Sequence, residues 1–183
     1  MEEKYLDAFE EKMQNELLRI CTAYKMLDGV LLNSDDIDDY WDIIAHEYIA
    51  DAVMQIQDYP TVSVAWASYI GMAVAYGWDV NWEIFSKYSY KSFYGEQGFD
   101  DMDEHIVKDI LLIPLQSPEA ADIEAVIRKC GETAVNLIRH EQIEPQSKLA
   151  YQVFAVTCKI MYRIGAAIEL KRLGYKFEKV PLN

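Results

Sequence analysis

Apolar positions recur at steps of three and four along most of the chain, which is the period of an amphipathic helix. Leu6, Phe9, Met13, Leu17, Ile20, Tyr24 and Leu27 form one such stripe over residues 3–28, with Gly29 as its stop. Ser34 followed by Asp35, Asp36, Asp38 and Asp39 reads as an N-cap with acids on the positive end of the helix dipole. The helix it opens is expected to run from Asp35 to about Asp58. Pro60 suits the first turn of a third helix, ending near residues 77–78.

A short helix is expected from Val80 to Tyr88, then a loop from Ser89 to Gly98 with Gly95 and Gly98 as breakers. Asp100 and Asp101 cap a helix expected to reach Ile113, which Pro114 ends. Ser117-Pro118-Glu119 starts a helix to about His140, and Pro145 opens the last one, to Leu173, capped by Gly174. The best extended stretch, Lys176 to Val180, is too short to build a sheet. The pattern predicts an all-α fold: one domain over residues 1–183, with six or seven helices around a central apolar helix at about 60–78.

That central segment, residues 59–78, carries no charge. Its length would just span a bilayer, but its tyrosines and serines dilute it, and Asp58 and Asp79 flank it without a nearby Lys or Arg. The expected role is therefore the core of a water-soluble bundle. Ser63, Ala67, Gly71 and Ala75 make a row of small residues along one face, which invites close approach by the apolar final helix between Leu149 and Leu170. Lys159 and Arg163 interrupt that final helix and are expected to reach carboxylates or the surface.

Composition adds constraint more than chemistry. The 183 residues carry a formal charge of -14, which disfavours nucleic acid and anionic membranes as partners. Charge is also uneven: no Lys or Arg lies between Lys25 and Lys87, whereas seven bases fall in residues 148–183. The two regions are expected to neutralise each other, within one chain or between two copies. Cys21, Cys130 and Cys158 are odd in number and widely spaced, and the start lacks a signal-peptide pattern, so a cytoplasmic protein is expected.

Turning the second helix by about 100° per residue groups Asp35, Asp38, Asp39, Asp42 and His46 on one face. That face is either solvated or, through Asp39, Asp42 and His46, a divalent-cation or basic-partner site. His105 and His140 would have to converge on His46 for a histidine triad to form. Asp79-Val-Asn81-Trp-Glu83 begins like a calcium loop, but Ile84 stands at the required glycine and Tyr90 at the bidentate glutamate. P-loop, dinucleotide and nucleophile-elbow motifs are missing from the sequence.

Aromatic residues crowd between Tyr59 and Phe99, and Trp66, Tyr69, Trp78 and Trp82 are the candidates for a ligand pocket or an oligomer interface. The run YPTVSVAWASYIGMAVAYGWDVNW, residues 59–82, resembles all-helical Bacteroidetes proteins known mainly from structural genomics. The resemblance covers less than a quarter of the chain; it implies an all-α fold and transfers no activity or site residue. The leading expectation is a self-associating binding or scaffold module that uses the aromatic region or the first-helix stripe. The alternatives are a metal-dependent helical enzyme with carboxylate and histidine ligands, and a small-molecule binder with an aromatic pocket.

Overall fold

The computed structural model describes residues 1–176, so most of the Lys176–Val180 stretch lies outside the described residues. Among these are six α-helices: α1 (Glu2–Ala23), α2 (Asp35–Val53), α3 (Pro60–Phe85), α4 (Met102–His105), α5 (Pro118–His140) and α6 (Lys148–Arg172). The fold is an all-α multi-helix bundle, with α3 at its centre. From Ser63 to Gly77 nearly every residue of α3 is buried, so this helix is apolar all round because neighbours cover it all round. No helix among the described residues is long and apolar enough to cross a membrane.

The tightest packing joins α3 to α6, along the row of small residues. A methyl group on Gly71 would overlap the carbonyl of Tyr162, and one on Gly165 would overlap the backbone of Ser68. Ser68 then donates its hydroxyl across the seam to the Met161 carbonyl, at 2.8 Å. With only hydrogen between the two backbones, dispersion contacts and this buried hydrogen bond offset the poor helix propensity of both glycines.

Several boundaries differ from those the sequence predicts, each for a local reason. The first helix ends at Ala23, six residues before Gly29, because Lys25 turns into the left-handed region (φ 62°). The Met26 amide bonds to Cys21 O and the Lys25 amide to Thr22 O, a Schellman closure that ordinarily calls for glycine. Tyr24 is consequently exposed, while Leu27 reaches the core from the loop. The second helix stops at Val53, and residues 54–58 form turns.

The third helix does not end at Gly77. It continues to Phe85 through a break at Asn81 (φ −166°, ψ 90°), whose side-chain oxygen accepts the Ile84 amide and so caps a new turn. That turn brings the Phe85 ring onto the bare Cα of Gly77. The segment after Asp101 is α4 followed by one π-helical turn, Ile106–Ile110, rather than a continuous α-helix. The last helix starts at Lys148 rather than Pro145, because Gln146 has φ 63° and the Ser147 hydroxyl caps the Ala150 amide at 3.0 Å. Its predicted end holds: Gly174 (φ 101°) closes the helix with Tyr175 N bonded to Leu170 O.

Buried rings anchor the remaining elements by their polar tips, as bulky amphipathic side chains must. Tyr48 donates to Ser63 O and Tyr162 to Ile37 O, both at 2.6 Å, and Tyr40 donates to Tyr88 O at 2.8 Å. Tyr90 and Tyr94 both donate to one Asp51 oxygen, which pins the turn at Tyr90–Phe93 to α2. The charge asymmetry is partly met within the chain. Arg163 bridges Glu10 at 3.1 Å and Asp38 at 3.4 Å, and Lys171 meets Asp28 at 3.0 Å.

Candidate binding site

Between α3 and α5 the packing opens. Gly131 of α5 lets the two helices approach at Thr61 and Ala65, where an added methyl would come within 3.0 to 3.4 Å. Beside that contact Trp66 and Tyr69 of α3 line a space next to α5, and α4 contributes Asp103 to it. The result is a cavity of about 300 Å³, at the small end of the range for ligand pockets. Its apolar lining is Val62, Ala65, Trp66, Tyr69 and Ile127, and its polar groups are Thr61, Asp103, Glu124, Arg128 and Glu132.

The two rings meet edge to face, with centroids 5.5 Å apart and planes at 88°. Trp66 spends its indole N–H on the Phe99 carbonyl at 2.9 Å, so its orientation is fixed. Tyr69 differs from the other buried tyrosines of the core. Only 3% of it is exposed, it lines the cavity, and among the described residues nothing hydrogen-bonds its hydroxyl. Its hydroxyl is nevertheless not sealed from solvent: it opens onto the cavity, where a ligand or water can meet its hydrogen-bonding capacity. Burial, and then the negative charges of Asp103 and Glu124, push its phenol well above the ordinary range.

Asp103 is the second unusual group. It is half-buried, and its carboxyl is pushed up to about 6, first by burial and then by the charges of Glu104 and Glu124, against hydrogen bonds from backbone amides. Arg128 is drawn to Glu124 at 3.1 Å, so the guanidinium is already partnered. The cavity thus combines an aromatic corner, an unpaired acceptor hydroxyl and a carboxylate whose charge is poorly solvated.

The four aromatic residues singled out by sequence do not form one surface. Trp66 and Tyr69 share this cavity. Trp78 instead donates to Asp36 at 3.2 Å and packs on Tyr175, and Trp82 packs edge-on to Tyr40 at 5.8 Å. The stripe of α1 is used inside the chain, where Phe9, Met13, Leu17 and Ile20 are buried. Asp39, Asp42 and His46 are exposed on the outer face of α2, while Asp38 of the same face is drawn to Arg163. Among the described residues, no group of three or more His, Cys, Asp or Glu side chains is arranged to hold a metal ion. The histidines sit apart: His46 on α2, His105 paired with Asp109 at 2.9 Å, and His140 at the end of α5.

Sequence reading missed Asp103, Glu124, Arg128 and Glu132, which come from two elements distant from Trp66 along the chain. The one local signal was Gly131, a glycine inside an otherwise strong amphipathic helix, which marks a close approach to another backbone. Comparison with protein-family models, with curated proteins and with solved structures finds no match, so the chemistry of the site rests on its own geometry.

Proposed function

We propose that the chain is a cytoplasmic, non-enzymatic binding module that holds a small organic ligand in the cavity between α3 and α5. The observation that carries this reading is the Tyr69 hydroxyl, without a hydrogen-bond partner among the described residues and set on an otherwise buried residue that lines the cavity beside Trp66. Recognition rather than thiol-based turnover is favoured by where the cysteines lie. Cys21, Cys130 and Cys158 are buried free thiols away from the cavity lining, which also fits a reducing compartment. The high negative charge supports a partner other than nucleic acid or an anionic membrane.

A thermal-shift screen of small polar organic molecules tests it. Ligands should raise the melting temperature of the wild type but not of Val62→Phe, which fills the cavity and leaves the Trp66–Phe99 hydrogen bond in place. Equal shifts in both proteins, or none in either, would contradict the reading.

A second reading, self-association, is favoured by a separate observation. Val80, Ile84 and Tyr88 are exposed around the Asn81 break and line a shallow apolar cavity of about 430 Å³ with Tyr76 and Ile110. Light scattering after size exclusion should show a dimer that Ile84→Asp converts to monomer; a wild-type monomer at all micromolar concentrations would dismiss it.

A further inference from the structure

Resting on the cavity reading above, we infer that the ligand is an alkylammonium ion that keeps at least one N–H. Its alkyl body lies in the Trp66–Tyr69 corner, and its N–H groups are directed to the Asp103 carboxylate and the Tyr69 hydroxyl.

The charge balance of the lining comes first. Of its four charged groups Arg128 and Glu124 neutralise each other, leaving Asp103 and Glu132 as unbalanced negatives. An anionic ligand would add a third. A neutral one would leave Asp103 desolvated and without a counter-charge, the costly arrangement for a half-buried carboxylate. An organic cation offsets it directly.

The aromatic corner narrows the class further. Two perpendicular rings both line this space, and the negative face of an indole or phenol attracts a cation carried by an alkyl group. A small metal ion needs several oxygen ligands at short range, whereas most of this lining is apolar. Val62, Ala65 and Ile127 instead offer apolar surface for a carbon chain.

The hydroxyl of Tyr69 supplies the last element. Its oxygen is an unused acceptor, and a tetraalkylammonium has no proton to give it. A primary, secondary or tertiary ammonium does. A free amine and a lysine side chain share this chemistry. Because Glu104 on its own turn, Glu124, Arg128 and Glu132 on α5 and Tyr69 on α3 surround Asp103, a bound cation favours its ionised form, and affinity should rise as pH increases through about 6.

Calorimetric titration of the full chain tests the assignment, using butylammonium, tetramethylammonium, 1-butanol and pentanoate, with N-acetyl-lysine amide as the side-chain form. Butylammonium should bind at least tenfold more tightly than 1-butanol, and pentanoate should not bind. Asp103→Asn should weaken butylammonium at least tenfold and abolish its pH dependence. Tyr69→Phe should weaken butylammonium severalfold and leave tetramethylammonium unchanged. N-acetyl-lysine amide binding as well as butylammonium would identify a lysine side chain as the source, and butylammonium alone a free amine; either supports the class. Should 1-butanol or pentanoate match butylammonium, with Val62→Phe abolishing them, the cation assignment falls and the cavity reading stands. If no probe is sensitive to Val62→Phe, both fall. Circular dichroism of each variant confirms that it is folded.

Discussion

The two faces of α3 solve opposite problems with similar material. Toward α6, Gly71 and Gly165 bring backbone against backbone until no methyl group fits, and Ser68 closes the seam with a hydrogen bond. Toward α5, Gly131 also permits close approach, but the side chains it meets are a threonine methyl and an alanine methyl, and beside them Trp66 and Tyr69 line an open cavity. The first face is a closed joint whose buried serine hydroxyl is matched to a backbone carbonyl. The second leaves a hydroxyl and a carboxylate facing space. The difference teaches where to look for function: a bundle gains stability from the joint, and the gap retains polar groups that stability alone would not select.

The largest effect should come from breaking the joint. Gly165→Ala drives a methyl into the Ser68 backbone, which cannot move aside as a side chain would. The expected loss exceeds about 3 kcal/mol, measured by urea unfolding. A loss under 1 kcal/mol would mean that the helices are farther apart than described. Ser68→Ala, which removes the bond to Met161 O but leaves the packing, should cost about 1 kcal/mol in the same assay.

The matching glycine on the other face sharpens the contrast. In Gly131→Ala the new methyl meets Thr61 Cγ2 at 3.0 Å and Ala65 Cβ at 3.2 Å, contacts that side chains can relax. Against this stands the better helix propensity of alanine, so the net loss should stay under about 1 kcal/mol. A loss as large as that of Gly165→Ala would erase the distinction between the faces.

Much of this frame was legible in the sequence, because it rests on local chemistry. The chargeless run 59–78 announced a helix covered on every side, and the spacing of Ser63, Ala67, Gly71 and Ala75 announced the contact with the last helix. Serine caps at Ser34 and Ser117, and Gly174 at the end, marked helix boundaries that the structure keeps. The missed boundaries are those where tertiary context overrode residue preference. Lys25 and Gln146 take left-handed backbone that glycine would have signalled, and Asn81 breaks a helix that Gly77 was expected to end.

The candidate site was half legible. Trp66 and Tyr69 were among four aromatic candidates, but density along the chain could not separate them from Trp78 and Trp82, which turn to Asp36 and Tyr40. Asp103 was invisible, since its importance comes from burial beside residues from α3 and α5, and a lone aspartate in an acidic chain carries no mark of that.

The smallest effect concerns that carboxylate. In the folded protein Asp103 holds its proton to about pH 6, above the ordinary value of 3.8. The native state therefore binds more protons than the unfolded state between these values, and this group lowers stability as pH rises through that window. Asp103→Asn should remove this component, so that the variant gains on the wild type between pH 4 and pH 6 and keeps that gain at neutrality. Melting temperatures across that range check it; parallel curves for the two proteins would show that Asp103 titrates as an ordinary surface acid.

The most direct test of the open face is the indole region of a nitrogen–proton correlation spectrum, titrated with butylammonium. The chain has four tryptophans, and Trp66→Phe assigns the resonance of interest. The account predicts that the Trp66 indole signal shifts and saturates while those of Trp41, Trp78 and Trp82 stay in place. Movement of Trp78 or Trp82 instead, or no movement at all, would contradict it.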